Sequence, residues 1–484
     1  MNPTVTSWAR RTAELHDELA AVADLRGEPA WWLLAGGVAV GETVRRRTPY
    51  VISDAAPTAD TFLGVPTPPP DDAIRDAISR AHAARAALRE LDGLLPEQPL
   101  AVTICRDART GARTARNELE VAAFAVGDRC LRARLAENIG DEGPLARRLA
   151  GLASAAPAGS GIDERVAGVP FVCVSIGDEP LETARHGHRR AWTATGGPWL
   201  GLGRSGALAV VSTCHLAIDG FGHTWLTSRI AAHHARLYPH APRGIVLPER
   251  PLAAAPERVP LGIAWRSLPS PAPRALPLAY ALGRVLHRTS DRTGARFSPT
   301  FQIPVAPGQR ADPMRPRRRV VPSVLSVRFV DGEPEPFAAF EARAREILES
   351  EAMGRGLCSR LLGAARAAPL SLTWKRAAFS TARPRWLDRL AEVIGGRACL
   401  SRIRVDEPLG PTCAVSSPAR LATHADPLGA CVITVIDDGD AAAITVCGSG
   451  LTGTRAGAEA VLEDVLALYS SDSTIGSTSR SGSR

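Results

Sequence analysis

Apolar positions in the first half of the chain alternate between helical and strand spacing. Asp71 and Asp72 stand directly before one periodic stretch, and carboxylates at that position favour the start of a helix. The spacing predicts a helix at 7–25, a strand at 31–40, a Pro- and Asp-rich loop at 53–72, a helix from there to 92, and strands at 100–105 and 169–176. The first half therefore predicts a mixed α/β structure.

The second half repeats this alternation after a stretch dense in proline, which forbids long helices and central strands. We predict strands near 299–305, 320–330, 430–436 and 442–447, and helices near 336–350 and 384–394. The domain organisation predicted is an N-terminal lobe at 1–240, a Pro-rich crossover linker at 241–276, a C-terminal lobe at 277–470 and a polar, disordered tail at 471–484.

One sequence pattern occurs once in each half. ALAVVSTCHLAIDGFGHTWL, which starts at Ala207, has the polarity of a strand, a turn and a helix, and AAAITVCGSGLTGTRAGAEAVL, which starts at Ala441, matches it. Cys214 aligns with Cys447, and Gly220 with Gly453. The pattern predicts an α/β fold of two pseudo-symmetric lobes. A chance match remains the alternative, because strand-turn-helix units share this apolar pattern.

Composition places the chain among globular proteins with a large core, since 45% of its residues are hydrophobic. Its net charge of +8 comes from arginines scattered among acidic residues, with Lys375 as the one lysine, which argues against nucleic-acid binding. Nine cysteines lack CxxC spacing and predict buried, reduced thiols. The stretch 30–40 is too short to cross a bilayer and no secretion signal is evident, so we expect no integral membrane segment and a cytoplasmic location.

The candidate chemistry lies in CHLAIDG, residues 214–220. An apolar run suited to a buried strand precedes it and a helical pattern follows, so His215, Asp219 and Gly220 fall in a strand-to-helix turn, where substrates can reach side chains. An imidazole there can take a proton from a hydroxyl, amine or thiol, because its unperturbed pKa is close to neutral pH. Asp219 is placed to fix the turn through an ion pair, and Gly220 permits an unusual backbone angle. The alternative is a histidine that caps a turn.

This motif resembles the HHxxxDG signature of the CoA-dependent acyltransferase superfamily, with Cys214 in place of the first histidine. The hairpin that leads into the motif is similar to that of the wax ester synthase/diacylglycerol acyltransferase and condensation-domain branches; its sequence is PWLGLGRSGALAVVSTCHLAIDG. The position of the motif in the middle of the chain is also typical of these two branches. Weaker similarity extends to FQIPVAPGQR at 301–310 and LSRIRVDEPLGP at 400–411. The resemblance implies two chloramphenicol-acetyltransferase-like lobes, each a mixed sheet with flanking helices, and a channel between them that reaches His215 from both faces. It also implies His215 as the general base and structural roles for Asp219 and Gly220.

The resemblance also implies the reaction. An acyl group would pass from a thioester, either acyl-CoA or a carrier-bound pantetheine, to a hydroxyl or amine acceptor, with no tightly bound cofactor and no metal. Ser401 is a candidate donor to the tetrahedral oxyanion. The partners expected are a small-molecule donor and acceptor, with an acyl carrier protein as an alternative source of the donor. The alternative functions are a condensation-type catalyst acting on carrier-bound chains, or a catalytically silent relative that binds acyl chains or a partner protein.

Other patterns predict ordinary structure. GLGRSG at 201–206 matches GxGxxG, but a strand follows it where a dinucleotide site needs a helix, so we predict a hairpin turn. The histidine pairs His186/His188 and His233/His234 lack cysteine or acidic ligands at fixed spacing and predict surface histidines more than a metal site. RPRRR at 315–319 predicts a solvated turn, with the phosphates of coenzyme A or an acidic carrier as the alternative partners. No GxSxG occurs, so a serine hydrolase has no support.

Overall fold

The computed structural model describes eighteen segments of the chain. They are residues 52–53, 60–94, 103–105, 114–127, 129–154, 169–184, 200–214, 220–243, 262–269, 272–293, 300–305, 321–353, 355–356, 398–404, 413–417, 431–437, 441–448 and 453–471. Within them the chain forms two large mixed sheets, each with helices packed on one face.

The first sheet has nine strands. They are β1 (Ile52–Ser53), β2 (Asp60–Pro66), β3 (Thr103–Cys105), β4 (Thr114–Val126), β5 (Arg129–Arg134), β6 (Val169–Ser175), β7 (Leu200–Ser205), β8 (Leu208–Cys214) and β15 (Cys413–Ser417). Their order is β1-β3-β4-β6-β7-β8-β2-β15, with β5 paired to β4 outside this path. The strands from β4 to β7 run parallel, and β7, β8, β2 and β15 pair antiparallel.

Helices cover one face of the first sheet. They are α1 (Ala73–Leu94), α2 (Gly143–Ser154) and α4 (Gly220–Leu237), while the short α3 (Leu181–Ala184) contacts β7. Ile78, Leu149 and Leu226 from these helices pack with Phe124 and Val174 from the strands in one apolar cluster. Burial of such side chains contributes about 1.5–3 kcal/mol each, so this cluster holds the helices on the sheet.

The second sheet has six strands in the order β11-β10-β14-β16-β17-β9. They are β9 (Gly262–Pro269), β10 (Thr300–Val305), β11 (Val321–Ser326), β14 (Ala398–Arg404), β16 (Cys431–Asp437) and β17 (Ala441–Gly448). A small hairpin of β12 (Phe329–Val330) and β13 (Glu333–Pro334) follows β11. The helices α5 (Ala275–Thr293), α6 (Phe337–Ala352) and α7 (Arg455–Ser471) pack on one face, in a cluster that includes Leu282, Phe340, Leu462 and Ile433.

The two sheets share one topology. In the first, β4, β6 and β7 are parallel neighbours, and β8 and β2 continue antiparallel; in the second, β10, β14 and β16 are parallel neighbours, and β17 and β9 continue antiparallel. Each sheet also places a helix directly after its last antiparallel hairpin, α4 after β8 and α7 after β17. The predicted two-lobed α/β fold is confirmed, and the segments compared in the sequence occupy equivalent positions in the two sheets.

Strand β15 crosses from one half to the other. It lies between β14 and β16 in sequence, yet it pairs with β2 at the edge of the first sheet, with Val415 opposite Phe62. It also contacts β16 and β17. Beside it, Phe62 and Val210 of the first sheet pack with Ile263 and Cys447 of the second. We call the face of the second sheet that is turned away from helices α5, α6 and α7 its open face. The edge of the first sheet formed by β2 and β15 therefore packs against this open face.

The sequence predictions succeed best at α1. Asp72 Oδ1 accepts hydrogen bonds from the backbone N–H groups of Ile74 and Arg75, both at 3.0 Å, so the predicted capping carboxylate is confirmed. The predicted hairpin at 201–206 is also confirmed, with Gly206 at a φ of 56° between β7 and β8. The strands predicted at 169–176, 299–305, 430–436 and 442–447 and the helix at 336–350 are present within one or two residues.

Two predicted connections contain strands. The loop predicted at 53–72 was wrong in its middle, where Asp60–Pro66 forms β2 between β8 and β15. The Pro-rich stretch at 241–276 contains β9, an edge strand paired only to β17 within the described residues. A proline ends each strand, and because proline is disfavoured inside a strand, the apolar run before it did not predict one. The elements predicted at 7–25, 31–40 and 384–394 and the tail lie outside the described residues.

Candidate functional site

The motif joins β8 to α4. Strand β8 ends at Cys214 and helix α4 begins at Gly220, so the predicted strand and helix flank the motif as expected. His215 and Asp219 lie in 215–219, outside the described residues, and their roles stay predictions. Cys214 pairs in register with Asp60 at the start of β2, and Asp60 pairs with Ser417 at the end of β15. The motif therefore begins at the end of β8 that lies beside the start of β2 and near the end of β15.

A buried side-chain bond connects the two elements that flank the motif. Thr213 Oγ1, one residue before the end of β8, lies 2.9 Å from Nδ1 of His223 in the first turn of α4. Both residues are almost fully buried, with exposed fractions of 2% and 1%. Which group donates depends on the histidine tautomer. Sequence reasoning missed His223, although it lies three residues before Leu226 on the helix face predicted to be apolar.

The buried face of α4 is unusually polar near the motif. His223, Thr224, Thr227 and Ser228 are all buried. Thr227 Oγ1 donates to the carbonyl of His223 at 2.8 Å, and Ser228 Oγ donates to the carbonyl of Thr224 at 3.2 Å. A buried polar group costs free energy unless it is hydrogen-bonded, and these bonds offset that cost. Apolar packing of this helix comes instead from Leu226 and Ile230.

Ser401 lies in β14, whose alternating burial distinguishes the two faces of the second sheet. Ala398 and Leu400 pack with the helices of that sheet, so Ser401 is on the open face. It pairs in register with Thr434 of β16, which pairs in turn with Thr445 of β17, so three hydroxyl residues form a row across the open face. Strand β14 also contacts α4. The proposed oxyanion donor is therefore on a strand that touches the helix following the motif.

The histidine pair at 233–234 joins helices α1 and α4. His233 Nε2 lies 2.8 Å from Glu90 Oε1, and its Nδ1 lies 2.6 Å from Nη2 of Arg236. Because a guanidinium only donates, Nδ1 is the acceptor and Nε2 carries the proton given to Glu90. His234 Nε2 lies 3.1 Å from Asp76. The described residues contain no group of three or more His, Cys, Asp or Glu side chains that could hold a metal ion, and His186 and His188 lie outside them.

A buried ionic cluster lies at the opposite end of the first sheet from the motif. Asp76 on α1 pairs with Arg80 at 2.7 Å, and Arg204 at the end of β7 donates to the carbonyl of Thr67 at 3.0 Å. Burial alone would raise the pKa of Asp76, but Arg80 and His234 outweigh it and hold the pKa below its usual value. Burial lowers the pKa of Arg204. This cluster lies at the other end of β7 and β8 from the motif, so it is not part of the candidate site.

The described cysteines agree with the prediction of buried thiols. Cys173 and Cys431 are buried cysteines, and Cys399 is half-buried. Burial raises the pKa of Cys431 to about 12, so its thiol is unreactive near neutral pH.

Among the helices that the structure describes, none has the length and apolar run required to cross a membrane. The basic run at 315–319 is outside the described residues.

Solved structures similar to this chain include condensation domains. The first condensation domain of the CDA synthetase is 14% identical, with 89% of this chain and 93% of that chain covered and a TM-score of 0.41. The starter condensation domain of the rhizomide synthetase RzmA is 12% identical, with 86% and 91% covered and a TM-score of 0.38. A double mutant of that domain, solved in complex with C8-CoA and Leu-SNAC, is 11% identical, with 90% and 92% covered and a TM-score of 0.37.

The sequence comparisons find no such neighbour. No protein-family profile matches the chain, and no curated protein matches it. Condensation domains are one of the branches that the CHLAIDG motif resembles.

Proposed function

We propose that this protein is an acyltransferase that moves an acyl group from a thioester to a hydroxyl or amine acceptor, with His215 as the general base. The observation that carries the proposal is the position of the motif. It joins a central antiparallel strand of the first sheet to a helix that contacts β14 of the second sheet. A histidine at such a junction can be approached from both halves, as a reaction between two substrates requires.

The proposed chemistry needs one base and one oxyanion donor. His215 removes the proton of the acceptor hydroxyl or amine as the acceptor oxygen or nitrogen attacks the thioester carbonyl. Ser401, on the open face of the second sheet, donates a hydrogen bond to the resulting tetrahedral oxyanion. Collapse of this intermediate breaks the carbon–sulfur bond, and the thiolate takes the proton that His215 holds. Asp219 and Gly220 hold the turn, and no metal or covalent acyl-enzyme takes part.

The donor is acyl-CoA or a carrier-bound acyl-pantetheine, used as a co-substrate. The net charge of +8 is compatible with the anionic phosphates of coenzyme A. A cytoplasmic location is part of the proposal, because both kinds of donor are found there. Use of a carrier-bound chain would make the protein a condensation-type catalyst, and an acyl carrier protein would then be its partner.

Release of free thiol tests the proposal. Purified protein is incubated with a panel of acyl-CoA donors and with hydroxyl and amine acceptors, and thiol release is followed together with the acylated product. His215→Ala should lower turnover by about 10²- to 10⁴-fold while donor binding stays nearly intact. His240→Ala is the matched control, since His240 is exposed beyond the far end of α4.

The outcomes separate the alternatives. Full activity in His215→Ala contradicts the histidine-base mechanism. Transfer from an acyl carrier protein but not from coenzyme A identifies a condensation-type catalyst. Donor binding without thiol release in any combination shows a catalytically silent module.

A further inference from the structure

We propose that Thr213 and His223 form a clamp that fixes the geometry of the catalytic turn, which makes them positioning residues for the reaction proposed above. The inference rests on that proposed function for its kinetic part and on the structure for its geometric part. Residues 215–219 are joined at one end to β8 and at the other to α4. The Thr213–His223 bond closes this segment into a loop by a side-chain contact at its base.

The two clamp residues lie close in sequence to the two ends of the motif, so a small displacement of either would displace the motif residues. Thr213 is two residues before His215, and His223 is four residues, about one helical turn, after Asp219. Any change in the angle between the end of β8 and the first turn of α4 must therefore be absorbed by residues 215–219. Proton transfer depends steeply on the distance between base and acceptor, and a displacement of about 1 Å can cost about 100-fold in rate.

Burial makes the clamp specific and rigid. Both partners are shielded from water, with 2% and 1% of their surfaces exposed, so water cannot readily replace either of them. Thr213 is also held by the sheet, in register with Leu200 of β7 and Thr61 of β2. The histidine is therefore anchored to a strand that is fixed on both sides. A pair of aliphatic residues would pack at lower cost, but it would not set one angle between strand and helix.

A neighbouring hydroxyl provides a matched control. Thr227 is on the same helix and as buried as His223, but its Oγ1 donates to the backbone carbonyl of His223 within the helix. Replacing Thr227 by Val removes a buried hydroxyl and leaves the contact between β8 and α4 in place. Thr213→Val removes a hydroxyl of the same kind that belongs to the clamp. Thr213→Ser keeps the hydroxyl and loses only a methyl group.

The test compares these variants in the full chain by steady-state kinetics and by NMR of the protein labelled at histidine ring carbons. We expect Thr213→Val to lower kcat by about 10- to 100-fold with KM changed less than about threefold, Thr213→Ser to restore most of kcat, and Thr227→Val to stay close to the parent. The ring-carbon signal of His215 is assigned among the eleven histidines by its loss in His215→Ala. Among the three threonine variants, this signal should shift only in Thr213→Val.

The two readouts keep the clamp and the proposed function separate. A parent protein without His215-dependent transfer rejects the proposed function, and the His215 signal still decides whether the clamp controls the turn. An unchanged His215 signal in Thr213→Val overturns the clamp, whatever the activity. Equal losses of kcat in Thr213→Val and Thr227→Val, or no rescue by Thr213→Ser, also overturn the positioning role.

Discussion

The two strand-helix units that occupy equivalent places in the two sheets differ in what their helices bury. Helix α7 buries Ala458, Leu462, Val465 and Leu468, an apolar stripe at helical spacing. Helix α4 buries Leu226 and Ile230, but its first turns bury His223, Thr224 and Thr227. The same topology thus supports two kinds of packing.

The first turns of α4 and α7 are also held by different kinds of side-chain hydrogen bond. Thr454 caps α7, since its Oγ1 accepts a hydrogen bond from the backbone N–H of Gly457 at 3.1 Å. At α4 the first turn is tied to the sheet by the side-chain bond between Thr213 and His223. The comparison indicates that α7 is packed for stability, whereas the start of α4 gives up apolar burial to fix the position of the motif.

The largest expected loss of stability comes from the motif itself. If Asp219 holds the turn through a buried ion pair, Asp219→Asn should cost about 3–5 kcal/mol, because loss of one member of such a pair leaves the other charge out of water. Thermal melting and acyl transfer should therefore fall together. Normal melting with lost transfer would instead assign Asp219 a direct role in the chemistry.

A pair of matched leucines tests the comparison between the helices. Leu226 on α4 and Leu462 on α7 are each 2% exposed, so replacing either with Ala should cost about 2–5 kcal/mol. Denaturant titration measures the free energy of unfolding, and assays well below the melting temperature measure turnover of the folded protein. We expect turnover to fall in Leu226→Ala and to stay near the parent value in Leu462→Ala. Equal turnover in both variants would remove the functional difference between the two helices.

The smallest expected effect is at the cap of α7. Thr454→Ala should lower the free energy of unfolding by about 1 kcal/mol, since the Gly457 N–H loses its side-chain acceptor. Thr454→Ser keeps that acceptor and serves as the control. Transfer activity should be the same in both variants, and a kinetic defect in Thr454→Ala would show that the second unit also contributes to the site.

Local signals were sufficient for much of the fold. Asp72 before a periodic stretch marked α1, and the apolar run before Cys214 marked β8. Strands β2 and β15 were not recognised, because their stability depends on each other and on β8, across long sequence separations that no local window contains. Prolines beside β2 and β9 further concealed those strands.

The candidate site was predictable only in part. CHLAIDG carried enough information to place His215, Asp219 and Gly220 in a strand-to-helix turn, and the ends of β8 and α4 agree with that placement. His223 could have been recognised as a histidine on the helix face that Leu226 and Ile230 predict to be buried. Its partner Thr213 could not, because a threonine in a buried strand has no pattern that distinguishes a clamp from ordinary β-branched packing.

Strand β15 also sets when the edge of the first sheet can be completed. Its residues 413–417 complete the edge of a sheet whose other strands, among the described residues, all lie before residue 215. During synthesis the edge of β2 therefore stays uncovered until residues 413–417 have left the ribosome. An uncovered strand edge invites pairing with other chains. A ribosome that stalls before residue 413 would release a nascent chain prone to aggregation, and a fragment that ends before β15 would share this defect.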